Sequence, residues 1–324
     1  MERKYIRLLA VLLLLSTVNS CSQAQQDTQL NLSADIDHEK FGNYWYQGEA
    51  ELNNFKIEEI RYGEVREGSA VMVFVTEDFL TDKQVKLESA PAGRDHTTVL
   101  KLNYMEEFTT GIYEYNMMAS VFSPVQVHKY PQTQKVTISS QDWCGHAFFQ
   151  LNNNGKGFDL MGHSYFESEG DFSQTLPNVI TEDDIWVKLR LNPDLLPEGE
   201  IQLIPGGFYQ RFSHRDWAPA TATTEHMEWE NNDDTFPGIN LMAYEISYPN
   251  LNRTLTIIYE AEAPYKIAGW IKEREGSDGE TLTATSIRTN SIKSAYWRQH
   301  DNDDLNMRDS LGLSRTNLNA KVND

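Results

Sequence analysis

The sequence predicts a mostly β, antiparallel protein with little helix, folded as a curved sheet or half-barrel or as a sandwich. Three observations predict it. Runs rich in β-branched and aromatic residues recur from Phe41 to Trp297, clusters of Gly, Asn, Asp and Pro separate them, and no long apolar stripe occurs at helical spacing. No period recurs along the chain, which disfavours propellers and solenoids. A division into two β units near residues 170–180 is open on this pattern.

The first element is an export signal. Arg3, Lys4 and Arg7 precede the apolar run Leu8 to Leu15, and Val18-Asn19-Ser20-Cys21 closes it with a small residue before a cysteine. The run is far shorter than the ~20 residues of a membrane-spanning helix. The pattern resembles the lipobox of bacterial lipoproteins. That resemblance implies removal of residues 1–20 and acylation of Cys21, with two or more chains making a stable anchor. Residues 21–40 are polar and read as a flexible tether. Ser22 follows the cysteine where an aspartate would favour inner-membrane retention. The resemblance therefore implies an outer-membrane, periplasm-facing position.

The β-rich body spans residues 41–297. Phe55 to Tyr62 and Ala70 to Thr76 read as a hairpin about Gly63 and Glu67-Gly68; the Val71 to Val75 run, apolar on both faces, is a strand covered on both sides. Leu80 to Thr98 is a loop, and Val99 to Tyr104 alternates as a strand with one wet face. Residues 111–127 and 136–151 continue in strands up to the turn Asn152-Asn153-Asn154-Gly155. Ile185, Val187, Leu189 and Leu191 alternate with Trp186, Lys188 and Arg190, which predicts another strand stopped by Asn192-Pro193. Residues 205–240, with Pro205-Gly206-Gly207, Pro219 and Pro237-Gly238, read as loops with short strands. Met242 to Ser247, Leu255 to Glu262, Tyr265 to Glu273 and Thr281 to Arg288 are strands. Residues 298–324 form a polar tail with at most a short helix capped by Asp303-Asp304.

Charge and cysteines bound the function. The chain has 28 Lys+Arg against 48 Asp+Glu; without residues 1–20 these become 25 and 47, a net of −22. Such a balance, with no basic cluster, opposes binding to nucleic acid. Only Cys144 remains beside Cys21, so the fold relies on packing rather than an internal disulfide.

The candidates for chemistry are few. Gln141-Asp142-Trp143-Cys144-Gly145-His146 sets a thiol near a histidine, yet a small cysteine buried among Trp143 and Phe148, and unreactive, is the favoured reading. His214-Arg215-Asp216 and His226-Met227-Glu228 lie on the loop-rich segment, so His214, Asp216, His226 and Glu228 are the candidate acid/base set. The common nucleophile-elbow, phosphate-loop, dinucleotide and zinc motifs do not occur, and no cofactor or metal is expected.

Four stretches carry a resemblance: Tyr44-Trp45-Tyr46-Gln47-Gly48-Glu49-Ala50-Glu51-Leu52, Arg61-Tyr62-Gly63-Glu64-Val65-Arg66-Glu67-Gly68, Asp142-Trp143-Cys144-Gly145-His146 and Tyr165-Phe166-Glu167-Ser168-Glu169. Across residues 40–300 the chain resembles an uncharacterised family of Bacteroidetes lipoproteins that often carries the label "septum formation inhibitor Maf". The Ser-x-Ser-x-Arg motif of Maf pyrophosphatases does not occur near this N-terminus, so that resemblance brings over neither a nucleotide substrate nor a catalytic residue. The expectation is a non-enzymatic envelope lipoprotein, held to the membrane through Cys21, that keeps an apolar or amphipathic ligand in the concave face of its sheet. An envelope hydrolase using the His/carboxylate set and a protein-binding scaffold are the alternatives.

Overall fold

The structure, a computed structural model, describes residues 30–89, 93–230, 232, 234–276 and 279–313. The expected signal peptide, Cys21 and residues 314–324 lie outside the described residues.

After α1 (His38–Trp45), capped by Asp37, the chain enters β1 (Ala50–Arg61), β2 (Glu64–Leu80), the two-residue β3 (Val85–Lys86), β4 (His96–Thr110) and β5 (Tyr113–Pro124). It continues through β6 (Lys135–Asp142), β7 (Gly145–Asn153), β8 (Gly157–Ser164) and β9 (Asp171–Pro177). Then come α2 (Glu182–Leu191), β10 (Gly199–Leu203), α3 (Gly207–Ser213) and β11 (Ala220–Glu228). The remainder is β12 (Leu241–Tyr248), β13 (Arg253–Glu260), β14 (Ile267–Glu275), β15 (Thr281–Ser294) and α4 (Asn306–Ser310).

All fifteen strands form one curved antiparallel sheet, in the order β10-β11-β12-β13-β14-β15-β1-β2-β4-β5-β6-β7-β8-β9, with β3 on the side of β2. The two groups of strands on either side of α2 are therefore halves of a single sheet. They meet where β1 pairs with β15, Ala50 opposite Ser294, with a bulge at Asn54/Phe55. Alternation does its expected work: in β4, Leu100, Leu102, Tyr104 and Phe108 face the core, whereas Lys101 and Asn103 face outward. Because every pairing is antiparallel, the turns after β1, β4, β6 and β8 share one end of the sheet.

The 185–191 segment departs from its expected strand: it is helix α2, and all ten of its residues are buried. The physical reason is that a helix buried all round loses its polar stripe, so its alternating aliphatics imitate a strand. Its ends carry the helical signals. Thr181 accepts from the Asp184 N–H, Glu182, Asp183 and Asp184 fill the first turn, and Lys188 and Arg190 sit in the last. Ile185, Val187, Leu189 and Leu191 each gain about 1.5–3 kcal/mol from burial.

The polar residues of α2 are burdens unless paired. Arg190 grips Glu51 of β1 through two bonds of 2.6 and 2.8 Å, and Glu51 also accepts from Tyr44. Lys188 donates to Ser123 at 2.8 Å and lies 3.7 Å from Asp184. Glu182 takes both guanidinium nitrogens of Arg253 at 2.6 Å, plus the Tyr248 hydroxyl at 2.7 Å. The helix is thus tied to both halves of the sheet.

The concave side, expected to hold a ligand, is filled by α1, α2, α3 and the aromatic core around Trp45, Phe74, Tyr104, Trp186 and Trp270. Residues 30–40, read as the end of the tether, are packed instead: Leu30 and Ile36 are buried, and the Asn31 N–H donates to the Leu195 carbonyl. Part of the expected tail is packed too. Leu311 is buried, and the Gly312 carbonyl accepts from Asn54.

Candidate functional site at the rim of the sheet

At the shared end of the hairpins, three of the four stretches that carry the resemblance converge on the C-terminal end of α3. The β1–β2 turn brings Arg61 and Tyr62, the β6–β7 turn brings Asp142 to Gly145, and the β8–β9 turn brings Tyr165 to Glu169. Each has a local cause. Asp142 accepts from the backbone N–H of Cys144 at 2.7 Å and of Gly145 at 3.2 Å, which closes a side-chain-stabilised turn. Tyr165 packs so closely on that turn that a Cβ at Gly145 would lie 2.8 Å from its ring.

Arg211 of α3 ties the turns together. Its guanidinium meets the second Asp142 oxygen at 3.2 Å, both side chains being 1% exposed, and lies 4.6 Å over the Phe166 ring. It also donates to His214 Nε2 at 3.2 Å. His214 Nδ1 donates to Glu169 at 2.5 Å, and Glu169 accepts from Ser164 as well. Because arginine can only donate, His214 carries its proton on Nδ1 and has no ring nitrogen left to act as a base. His214 caps α3 in the left-handed region, φ +51°, which directs its ring toward the β8–β9 turn. On the other side of α3, Arg61 donates to the Phe212 carbonyl at 2.8 Å and to the hydroxyls of Tyr62 and Tyr115. Burial opposes ionisation of Tyr62, but hydroxyl donors and the Arg61 charge bring its pKa below the ordinary tyrosine value.

Beside this cluster opens a recess of about 220 Å³ between the edge strand β9 and the segment after α3. Its apolar wall is Phe149, Phe172 and Trp217, with Phe149 and Trp217 ring centres 5.4 Å apart. Its polar wall includes Ser173, Gln174, Gln210, Arg215 and Asp216, and Gln174 holds the Trp217 carbonyl at 2.9 Å. An aromatic wall facing hydroxyl, amide and charged groups suits a ligand with one apolar and one polar face.

The expected acid/base set divides. His214 and Asp216 line this recess, whereas His226 and Glu228 lie on β11. His226 shares a 2.9 Å hydrogen bond with the Tyr259 hydroxyl and stacks beside Tyr244. Burial lowers its pKa, against the pull of Glu198 and Asp194, and so disfavours its charged form. Among the described residues no group of three or more His, Cys, Asp and Glu could hold a metal ion. Cys144 differs from its expected burial: it stands exposed in the β6–β7 turn, because Asp142 claims the backbone there and turns the thiol outward. Sequence reasoning missed Arg211 and Glu169. The signal available was the charge of Arg211 inside the aromatic-rich run Phe208 to Phe212.

Other recesses lie elsewhere on the described residues, among them an open one of about 270 Å³ beside Tyr248, Asn252 and Arg274. A cavity of about 60 Å³ lies between α3, β1, β13 and β14, and a groove of about 500 Å³ crosses the convex face over Val71, Met105 and Met118 toward Leu313.

No family model matches the chain, and none of the curated proteins compared with it does. Among solved structures it is similar to a β-barrel-like protein of a domain of unknown function, DUF1849, from Brucella abortus. The TM-score is 0.36 with 5% identity, over 76% of this chain and 97% of that one.

Proposed function

We propose that this is an exported, lipid-anchored envelope protein that acts by binding, with the headgroup of an amphipathic envelope molecule seated in the recess under Trp217. The observation that carries the reading is the recess itself: an aromatic wall opposite a polar one, beside a histidine whose two nitrogens are both engaged. Its volume suits a headgroup and falls below the ~300–1,000 Å³ of pockets that swallow a drug-sized ligand whole. Anchoring through Cys21, in the outer membrane and facing the periplasm, is supported by the lipobox pattern and by the resemblance to Bacteroidetes lipoproteins. The packing of α1, α2 and α3 against the core side of the sheet supports a ligand at the rim rather than in the interior.

The test is a titration of the purified protein with envelope glycolipid and phospholipid headgroups, followed by tryptophan fluorescence. Saturable binding that falls tenfold or more in Trp217→Ala and Gln174→Ala, with circular dichroism unchanged, is expected. Binding that ignores both substitutions moves the ligand elsewhere, and turnover abolished by His214→Ala replaces binding with catalysis. A second reading, an apolar ligand on the convex face, is favoured by the Val71, Met105 and Met118 floor of the larger groove. Met105→Lys would abolish that binding and leave the recess untouched.

A further inference from the structure

The cavity on the other side of α3 carries an unusual set of charges. Arg253 of β13 and Arg274 of β14 stand directly opposite in the antiparallel register, and Lys272 follows two residues along on the same face. Like charges placed opposite one another are destabilising unless each finds a counter-charge. Two of the three do. Arg253 has both terminal nitrogens on Glu182, and Lys272 is bonded to Glu59 with Glu106 3.8 Å away.

Arg274 differs. Among the described residues no carboxylate lies within ion-pair distance of it; the Tyr209 ring lies 5.8 Å from its guanidinium carbon. Glu273 and Glu275 flank it on β14 and are exposed; Glu273 also lines the cavity, but strand alternation directs its side chain to the face opposite that of Arg274. Asp183, a further carboxylate of the cavity, accepts the Gly207 N–H at 3.0 Å. The α3 side of the cavity is apolar, formed by Phe208 and Phe212, and Trp186 of α2 also lines it. The enclosed volume, about 60 Å³, exceeds the ~15 Å³ that one water needs and fits a carboxylate rather than a whole amphiphile.

We propose that Arg274, seated over Tyr209 at the mouth of this cavity, is the anchor of a second binding site that takes a small organic carboxylate, the acid group on the guanidinium and the apolar body against Phe208 and Tyr209. A guanidinium offers two parallel donors to a carboxylate, and an adjacent aromatic face covers the ligand's hydrocarbon. The site is separated from the Trp217 recess by α3 and does not depend on it.

Calorimetric titration of the purified full chain with hexanoate, hexanol and inorganic phosphate tests the assignment, with Trp186 fluorescence as a second readout. Hexanoate is expected to bind saturably, hexanol at least tenfold more weakly, and phosphate without the fluorescence change. Arg274→Ala should weaken hexanoate tenfold or more, and Arg274→Lys should restore part of the loss. Tyr209→Ala should weaken hexanoate without affecting phosphate; because the Tyr209 ring also lies 4.6 Å from the Arg253 guanidinium carbon, an unchanged denaturant midpoint is checked alongside. Absence of saturable hexanoate binding, equal affinity for hexanol or phosphate, or an Arg274→Ala titration matching wild type would each overturn the proposal. Binding here that survives Trp217→Ala separates this site from the rim recess.

Discussion

Replacing Arg190 with methionine would leave Glu51 in the core without its counter-charge, and the cost can be worked from the structure. Glu51 is wholly buried; burial raises its pKa, but the charge and twin hydrogen bonds of Arg190, with the Tyr44 hydroxyl and Asn53, outweigh it and bring the carboxyl to about 2 from the ordinary 4.5. That displacement corresponds to about 3 kcal/mol, at 1.36 kcal/mol for each tenfold change. Removing one partner of such a pair costs about 3–5 kcal/mol, in agreement. Since the folded pKa lies below the unfolded one, this stability is present above about pH 4.5 and is lost as pH falls toward 2. Arg190→Met should therefore lower the melting temperature at pH 7 by roughly 6–12 °C, taking ~2–4 °C per kcal/mol for a body of this size. The double variant Glu51→Met/Arg190→Met should recover much of that loss, because an apolar pair of similar volume needs no counter-charge. The assay is thermal and urea unfolding of the wild type, both single variants and the double variant, at pH 7 and pH 3. A double variant no more stable than Arg190→Met, or a single variant within 2 °C of wild type, would refute the reasoning.

Other expectations follow from neighbouring features. Glu106 is raised to about 8 by burial and by Glu59 against the pull of Lys272, so the folded state holds a proton that the unfolded state has released. Stability from this group is full below about pH 4.5 and declines as pH rises through 8; Glu106→Gln should flatten that decline in urea titrations between pH 5 and 9. Gly207→Ala would place a Cβ 2.3 Å from Ile138 Cγ1, which should displace α3 and cost about 1–3 kcal/mol in denaturant midpoint. Thr181→Ala removes the cap of α2 and should cost about 1 kcal/mol by the same measurement. Cys144, exposed and free, should react fully with a thiol reagent in native buffer; labelling that requires denaturant would contradict its placement.

The strands were legible wherever one face is wet. Leu100 and Leu102 between Lys101 and Asn103 state their register outright, because period two distinguishes water from core. Helix α2 was illegible for the converse reason: with Lys188 and Arg190 as deeply buried as Leu189, no face of it reads as outside. Only its ends kept information, in Thr181, the three acidic residues after it and Asn192-Pro193. At the rim His214 and Asp216 line one recess, as their spacing of two residues allows. It could not join Asp142, Glu169 and Arg211, which come from three elements and meet only because antiparallel hairpins return their turns to the same end. His226 was misjudged as a companion because separation along a loop-rich segment says nothing of which side a later strand takes.

The pairing of β1 with β15 has a consequence in time. Two meanders, residues 50–177 and 199–294, are each assembled from strands that neighbour one another in sequence, so their hairpins can form within microseconds of appearing. The seam between them joins the first long strand to the last, the most distant pairing in the chain and the slowest to close. A chain delivered N-terminus first keeps one edge of β1 unpaired until residue 294 has arrived, and before then Glu51 must wait on Arg190 and Glu182 on Arg253. For that interval the future centre of the sheet is an open edge, the kind of surface that recruits strands from other chains.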